Sequence, residues 1–432
     1  MKAFRFIHAA DLHLDSPFKG VSALPPVIRD TLRESTFRAL ETLVHTAISE
    51  RADFVLLAGD VYDTADRSLR AQLRFQRAME TLAERGIPVY AVHGNHDPLD
   101  GRRAELRWPD SVKFFPAHEA ECVAATHPLR GDLAFVHGWS FGTAAVMESP
   151  LPLFGSPRSG VYNIGLLHAN ADGDPEHDNY APCSVRELVR RGMDYWALGH
   201  IHSRRVLHDH PYIVYPGNVQ GRSVRETGAK GCYIVDVTES GRSVLTFRPT
   251  DCVRWFVQDV PIDDMRGEQE LRDRLEERMR QCEDEADGRP SIVRFRLTGR
   301  GPLHRALGRA VTIRELADEL REWQLRRTET EEGAAFVWIE SIQVRTEPEL
   351  NMRLAAERNV FLGDLLELSA SLASEQGRSL ESFCEEALSP LLAHPKAGAI
   401  LARLLAEERD DWLKAAETTA AALVAEEEGW DE

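Results

Sequence analysis

Five short clusters of acidic, amide and imidazole residues could carry the chemistry of this 432-residue chain. They read Asp11-Leu12-His13, Gly59-Asp60-Val61-Tyr62-Asp63, Gly94-Asn95-His96-Asp97, His168, and Gly199-His200-Ile201-His202. Two divalent cations held about 3.5–4 Å apart need a bridging carboxylate with oxygen or imidazole donors on either side. Asp60, in the second cluster, is the natural bridge. Asp11, His13 and His202 complete one cation's set, and Asn95, His168 and His200 the other's. A mixed nitrogen and oxygen set suits Mn²⁺, Fe²⁺ or Zn²⁺ better than Ca²⁺ or Mg²⁺, which prefer oxygen alone. Solvent shared by such a pair is acidified to hydroxide near neutral pH and can attack phosphorus in line with the leaving group. His96, one residue past a ligand, is the candidate general acid for the leaving alkoxide, with Asp63 placed to orient and charge-stabilise its imidazole. No serine or cysteine nucleophile is required.

Each cluster follows an apolar run, at residues 4–10, 54–58, 87–92, 164–167 and 195–198, with the length and β-branched or aromatic content of a buried strand. Side chains that close strands at their carboxyl ends converge on one crevice in an α/β sheet, so clusters far apart in sequence can meet. Between the first two runs Leu40, Leu43, Val44, Ala47 and Ile48 recur at helical spacing, as Leu69, Leu73, Met79 and Leu82 do between the next two. Ser184-Val-Arg-Glu187 reads as a capping box opening another helix. This alternation implies crossover connections and a layered α/β core over residues 1–252. Residues 141–160, rich in Gly, Ser and Pro, read as a surface loop. From residue 253 to 346 strands at 254–261, 291–298 and 335–345 alternate with helices at 268–280 and 312–324, the pattern of a small α+β module. Thr346-Glu-Pro-Glu349 reads as a linker, and residues 347–432 as a helical region striped by Leu365, Leu366, Leu368, Leu372, Leu401, Leu404, Leu405, Trp412 and Leu423.

The net charge of −18 argues against a broad basic face for nucleic acid. Much of it is local, since residues 351–432 hold 17 Asp and Glu against 7 Lys and Arg, leaving room for a modest basic groove elsewhere. Histidine is skewed the other way, with 14 of 16 before residue 211. Six scattered cysteines form no C-x-x-C pair and suit a reducing cytoplasm. No apolar stretch is long enough for a membrane span, and an N-terminus that enters a strand at once leaves no room for a signal peptide.

Single residues have plainer readings. His137, also after a strand, competes with His168. Asp97 reads equally as a turn former, Asp63 as a helix cap, and His8 as core. Asp15, Lys19 and Arg222 are candidates for substrate phosphates but more often satisfy loop backbone. The leucine stripe reads first as intramolecular packing.

The five clusters, in this order, resemble the calcineurin-like metallophosphoesterase superfamily, with its D-x-H, G-D-x-x-D, G-N-H-[DE], H and G-H-x-H pattern. The stretches Ala10-Asp-Leu-His-Leu-Asp-Ser-Pro-Phe-Lys-Gly20, Tyr215-Pro-Gly-Asn-Val-Gln-Gly-Arg222 and Gly228-Ala-Lys-Gly-Cys-Tyr-Ile-Val235 resemble its SbcD-like DNA repair exonucleases, most closely the YhaO type. The resemblance implies a layered α/β sandwich core, a small α+β cap and a helical C-terminal region. It also implies Mn²⁺-dependent cleavage of DNA phosphodiesters, exonucleolytic and open to endonucleolytic action, beside an SbcC-like coiled-coil ATPase engaged through the tail. A homodimer is compatible with it. The alternatives are a phosphodiesterase or phosphatase acting on nucleotides or other small phosphate esters, and a scaffold that holds an ATPase at DNA ends.

Overall fold

The computed structural model describes residues 1–18, 24–63, 68–175, 177–330, 335–347, 359–374, 378–394 and 397–428. Lys19 and the Pro348-Glu349 half of the expected linker lie outside these residues. The chain divides into a unit of residues 1–258, 277–295 and 319–341 and a second of residues 259–276, 296–318 and 342–432.

The first unit is built on two six-stranded sheets. One runs in the order β12-β11-β1-β2-β3-β4, with β1 (Phe4–Ala9), β2 (Phe54–Ala58), β3 (Val89–Val92) and β4 (Val112–Phe114) parallel. Its antiparallel edge is β11 (Gly231–Val237) and β12 (Ser243–Pro249). The other runs β5-β6-β7-β8-β10-β9, with β6 (Gly131–Trp139), β7 (Tyr162–His168), β8 (Tyr195–Gly199) and β10 (Tyr212–Tyr215) parallel. Antiparallel β5 (Glu121–His127) and β9 (Arg205–Asp209) flank them.

Alternation along the strands explains the layering. In β1, Ile7 and Ala9 face the same core as Phe37, Leu40 and Leu43 of α1 (Pro26–Ser49) and Phe75 and Met79 of α2 (Leu69–Glu84). Phe6, Phe54, Leu56 and Val92 face Tyr162, Ile164, Leu166 and Tyr195 of the other sheet. There Phe6 stacks on Phe54 at 5.2 Å and meets Tyr195 edge-on at 5.3 Å. The outward face of the second sheet packs Leu167, Trp196 and Leu198 against Leu188 of α3 (Val185–Arg190), which the expected capping box opens. Residues 141–160 also belong here and are not simply a surface loop. Phe141, Leu151 and Phe154 are buried against Trp139 and Trp196, because one short helix cannot cover that face alone.

Strands β13 (Arg254–Pro261), β14 (Ser291–Thr298) and β15 (Val337–Val344) form a three-stranded sheet in that order, accompanied by α4 (Glu268–Glu285) and α5 (Ala310–Thr330). In the second unit Glu347 pairs with the end of β14 by donating its N–H to the Gly299 carbonyl at 2.9 Å, so the first half of the expected linker is anchored. Of the leucine stripe, the helix Val360–Ser374 packs Leu362, Leu365 and Leu366 against Ala421 and Val424 of the helix Ala397–Glu428, while Leu368 and Leu423 stay exposed. No helix among the described residues is long and apolar enough to cross a membrane. The six cysteines are free thiols.

His8 is fully buried between the sheets, accepting from the Tyr195 hydroxyl at Nδ1 (3.0 Å) and donating from Nε2 to the Leu198 carbonyl (3.2 Å). Burial lowers its pKa to about 3 despite that carbonyl. Below pH about 6.5 the unfolded chain therefore takes up a proton that the folded protein refuses. Stability should fall between pH 6.5 and about 3, with this group supplying up to about 1.4 kcal/mol per pH unit. Denaturant titrations across that range should show a shallower acid slope in His8→Gln. An unchanged slope would assign the acid sensitivity to other groups.

Candidate metal centre

The five clusters sit on loops at the carboxyl ends of β1, β2, β3, β7 and β8, and the backbone zips them together before any side chain meets another. Asp11 donates its N–H to the Gly59 carbonyl (3.1 Å), His13 to Asp60 (3.0 Å) and Leu14 to Val61 (3.0 Å). Four non-glycine residues then adopt left-handed backbone: Asp11 (φ 52°), His13 (43°), Asp60 (50°) and His200 (103°). Such conformations cost energy and cluster where surrounding structure holds a site in place. Two glycines are dictated by crowding. Gly59 has φ 88°, and a Cβ there would lie 2.5 Å from His168 Nδ1; a Cβ on Gly94 would overlap the Asp60 carboxylate.

The side chains converge as follows. His13 and His202 face each other through Nε2 at 3.0 Å. Asn95 Oδ1 lies 3.0 Å from His168 Nε2 and 3.2 Å from His200 Nδ1. Asp60 Oδ2 lies 3.4 Å from His168 Nε2 and 3.8 Å from His13 Nε2, spanning both groups. Asp11 accepts the His200 N–H on its two oxygens at 3.1 and 3.2 Å. Asp11, His13 and His202 offer ligand atoms close enough to share one ion, and so do Asp11, Asp60 and His168. All seven expected ligands thus lie in one place. His137 lies elsewhere, bonded to Asn163 Oδ1 at 3.1 Å on β6.

Each imidazole turns its outer nitrogen to a fixed partner. His168 Nδ1 donates to the Ala58 carbonyl (2.9 Å), His200 Nε2 to the Asp178 carbonyl (2.8 Å), and His202 Nδ1 to Glu226 Oε1 (2.7 Å). His13 Nδ1 lies 3.2 Å from Asp63 Oδ1. In the neutral rings of His168, His200 and His202 these hydrogen bonds set tautomers that point the other nitrogen inward as a lone pair. Inward lone pairs beside two carboxylates, each 1% exposed, make an acceptor-rich buried cluster, and divalent cations fit it.

The electrostatics agree. Burial raises the Asp11 carboxyl, against the opposing pull of His168 and His202. At Asp60 burial acts the same way, but His168, His13 and His96 outweigh it and hold the carboxyl well below its usual range. Burial lowers His13 and His200 to about 3, helped by Arg222 and His168 respectively. His168 is opposite: burial disfavours its imidazolium, yet Asp60 raises its pKa to about 9. Positive charge is stabilised where Asp60 faces that ring.

His96 donates its N–H to Asp60 Oδ1 (3.0 Å), and its Nδ1 donates to the backbone carbonyl of Asp63 (2.6 Å), not to the carboxylate expected to orient it. The Asp63 carboxylate turns instead to Arg222 Nη1 (2.6 Å) and toward His13. Despite burial it is held below the usual range by His13 and Arg222. Asp97 is fully buried and ties two loops, accepting the Val61 N–H (3.0 Å) and the Gly94 N–H (2.7 Å). Asp15 accepts the hydroxyl of Ser68, the cap of α2, at 2.6 Å.

Sequence reasoning missed Glu226. It orients His202, accepts the Arg222 N–H on Oε2 (2.6 Å) and the Arg222 guanidinium at 3.3 Å, and is held below its usual range by His202 and Arg222 although burial opposes this. Nothing in the motif spacing marks it. Arg222 joins Glu226 to Asp63, so one guanidinium braces the carboxylates beside both His13 and His202.

Fold and donor set define a metal-dependent phosphoester hydrolase of the two-metal type. The calcineurin-like phosphoesterase family matches residues 4–204, and the middle domain of metallophosphoesterase YhaO matches residues 255–347. A curated relative, the uncharacterized metallophosphoesterase YhaO of Bacillus subtilis, is 38% identical over 363 residues, covering 84% of this chain and 86% of that protein. The chain belongs to the YhaO family of calcineurin-like metallophosphoesterases. The DNA double-strand break repair protein Mre11 of Aeropyrum pernix is 29% identical over 250 residues, 52% of this chain and 56% of that protein. Among solved structures, a dimetal phosphatase from Danio rerio is 13% identical, covering 58% of this chain and 97% of that one at a TM-score of 0.35.

Glu226→Gln should weaken the His202-side cation by roughly 10–100-fold, the usual worth of a partner that orients a metal ligand. Metal analysis after dialysis against limiting Mn²⁺ should find that cation depleted and the Asn95-side one retained. Two ions per chain in the variant at wild-type affinity would show that Glu226 does not orient His202.

Proposed function

We propose that this protein is a Mn²⁺-dependent DNA phosphodiesterase, an SbcD-like repair nuclease. The observation that carries the reading is where the site opens. His96, His202 and Asp63 line a cavity of 1140 Å³ together with Ser16, Arg222, Arg225 and Arg294. That is larger than most small-ligand pockets, and its basic side chains suit an extended polyanion. The relative named for DNA double-strand break repair, similar over half of this chain, supports the same substrate.

When bound, the two cations would neutralise phosphoryl charge and lower the pKa of water into the neutral range. Asp11, His13, Asp60 and His202 would hold one, and Asp60, Asn95, His168 and His200 the other. The chain's own part in bond cleavage is proton delivery. The Asp63 carbonyl holds the His96 ring through Nδ1–H, so that the imidazolium, protonated on both nitrogens, gives its Nε2 proton to the leaving 3′- or 5′-oxygen and becomes the neutral Nδ1–H ring.

Purified protein with Mn²⁺ should cleave end-labelled duplex DNA. His96→Ala should keep its metal content yet cleave DNA roughly 10²–10⁴-fold more slowly, with a smaller loss on a chromogenic diester whose nitrophenolate scarcely needs a proton. An equal loss on both substrates would replace proton donation with positioning. Hydrolysis of the chromogenic diester with DNA left intact would favour a small-ester phosphodiesterase.

The proposal extends to a partner. Phe361, Leu368, Phe383, Leu391 and Leu423 stay exposed on the tail helices amid acidic residues, a surface suited to an amphipathic coiled coil such as that of an SbcC-like ATPase. Removing residues 351–432 should spare hydrolysis of the small diester and abolish co-purification with the ATPase. A truncated protein that melts well below the full chain would assign those side chains to internal packing.

A further inference from the structure

The cavity beside His96 has a basic wall that the metal centre does not use. Within the turn 222–226, Glu226 donates its N–H to the Ser223 carbonyl (2.9 Å), and Arg222 donates its own N–H to Glu226 Oε2. These bonds turn Arg222 and Glu226 toward Asp63 and His202 and leave Ser223, Val224 and Arg225 lining the cavity. Arg225 is exposed, and no carboxylate among the described residues pairs with its guanidinium.

Arg294, on the part of β14 that belongs to the same unit, lines the cavity too. Its guanidinium forms a forked pair with Glu340, Nε to Oε2 at 2.8 Å and Nη2 to Oε1 at 2.6 Å, on a carboxylate only 6% exposed. That pair locks the orientation of Arg294 and leaves Nη1 outside the fork. Arg225 therefore differs from Arg222, whose charge is taken up by Asp63 and Glu226, and Arg294, though paired with Glu340, keeps Nη1 outside its fork. An exposed guanidinium with no carboxylate partner among the described residues and a pre-oriented one with Nη1 left over line the same cavity beside the phosphoester site, where an anionic group of a ligand would meet both. Guanidinium groups match phosphate oxygens in geometry and are weakly hydrated.

We propose that Arg225 and Arg294 form a subsite for a non-scissile backbone phosphate of the polynucleotide strand, so that they sense the length of the polyanion and not the reacting diester. The inference rests on the DNA reading and adds the residues that separate a strand from a small ester. Neither residue belongs to the metal-ligand set, and both act through a phosphate that is not broken. Losing either should therefore raise KM for a strand while leaving the bond-breaking step intact.

The test uses the full chain with Mn²⁺, comparing wild type, Arg225→Ala, Arg225→Lys, Arg294→Gln and the double variant on a labelled oligonucleotide and on bis(p-nitrophenyl) phosphate. Expected for Arg225→Ala and Arg294→Gln is a roughly tenfold rise in oligonucleotide KM, the worth of one charge-assisted hydrogen bond, with kcat and small-diester kcat/KM unchanged. The slope of log KM against log salt concentration should fall by about 0.7–0.9 per lost phosphate contact. Arg225→Lys should restore the slope more than the KM, because lysine keeps the charge without the fork. Unchanged KM and slope in variants that fold with normal metal content overturns the subsite, as does an equal loss on both substrates. Wild-type protein that hydrolyses the small diester and leaves every oligonucleotide intact overturns the DNA reading itself, and the subsite with it.

Discussion

Two carboxylates, Asp11 and Asp60, are removed from water at the rim of the sheet sandwich, and the surrounding structure is organised around that removal. An isolated buried carboxylate is costly and ordinarily takes up a proton. Here Asp11 is met by the His200 N–H and Asp60 by the His96 N–H and the His168 ring. Those donors reach their places only because the backbone turns into left-handed conformations at both aspartates and at His200. The glycines before Asp60 and Asn95 follow from the same crowding, since a methyl group at either would meet His168 or the Asp60 carboxylate. What reads as a motif is largely the steric and electrostatic consequence of burying two charges where five loops meet.

Around that core lies a shell that sets imidazole direction. Two of its members are backbone carbonyls, Ala58 and Asp178, and two are carboxylates, Asp63 and Glu226, braced by Arg222. The carbonyls belong to a strand end and to the loop that carries Asp178. The carboxylates share one guanidinium, so the His13 and His202 side of the centre is coupled through Arg222. That side also opens on the cavity where Arg225 and Arg294 stand.

The strands and helices that carry the site were legible because periodicity reports burial. Ile7 and Ala9 alternate with Phe6 and His8 as a strand buried on both faces requires, and the leucines of α1 recur at helical spacing. In residues 141–160 a polar, turn-forming composition masks three buried aromatic and aliphatic side chains, Phe141, Leu151 and Phe154. Their burial comes from the uncovered outer face of the second sheet, which no local pattern reports.

The sequence by itself determined the donor set. Residue types chosen for metal chemistry, each closing an apolar run, identify the seven candidate ligands and His96 whatever the detailed packing, because strand ends in such sheets share a rim. Tertiary structure alone decided between equivalent local readings. His137 and His168 both follow strands, yet β6 turns His137 toward Asn163 while β7 delivers His168 beside Asp60 and Asn95. Asp63 orients His96 through its carbonyl and spends its carboxylate on Arg222, a division that depends on a residue 159 positions away. Glu226 was invisible for the same reason. Its role is defined by His202 and Arg222 across a fold, and an acid in a loop has no local signature until the chain brings its partners to it.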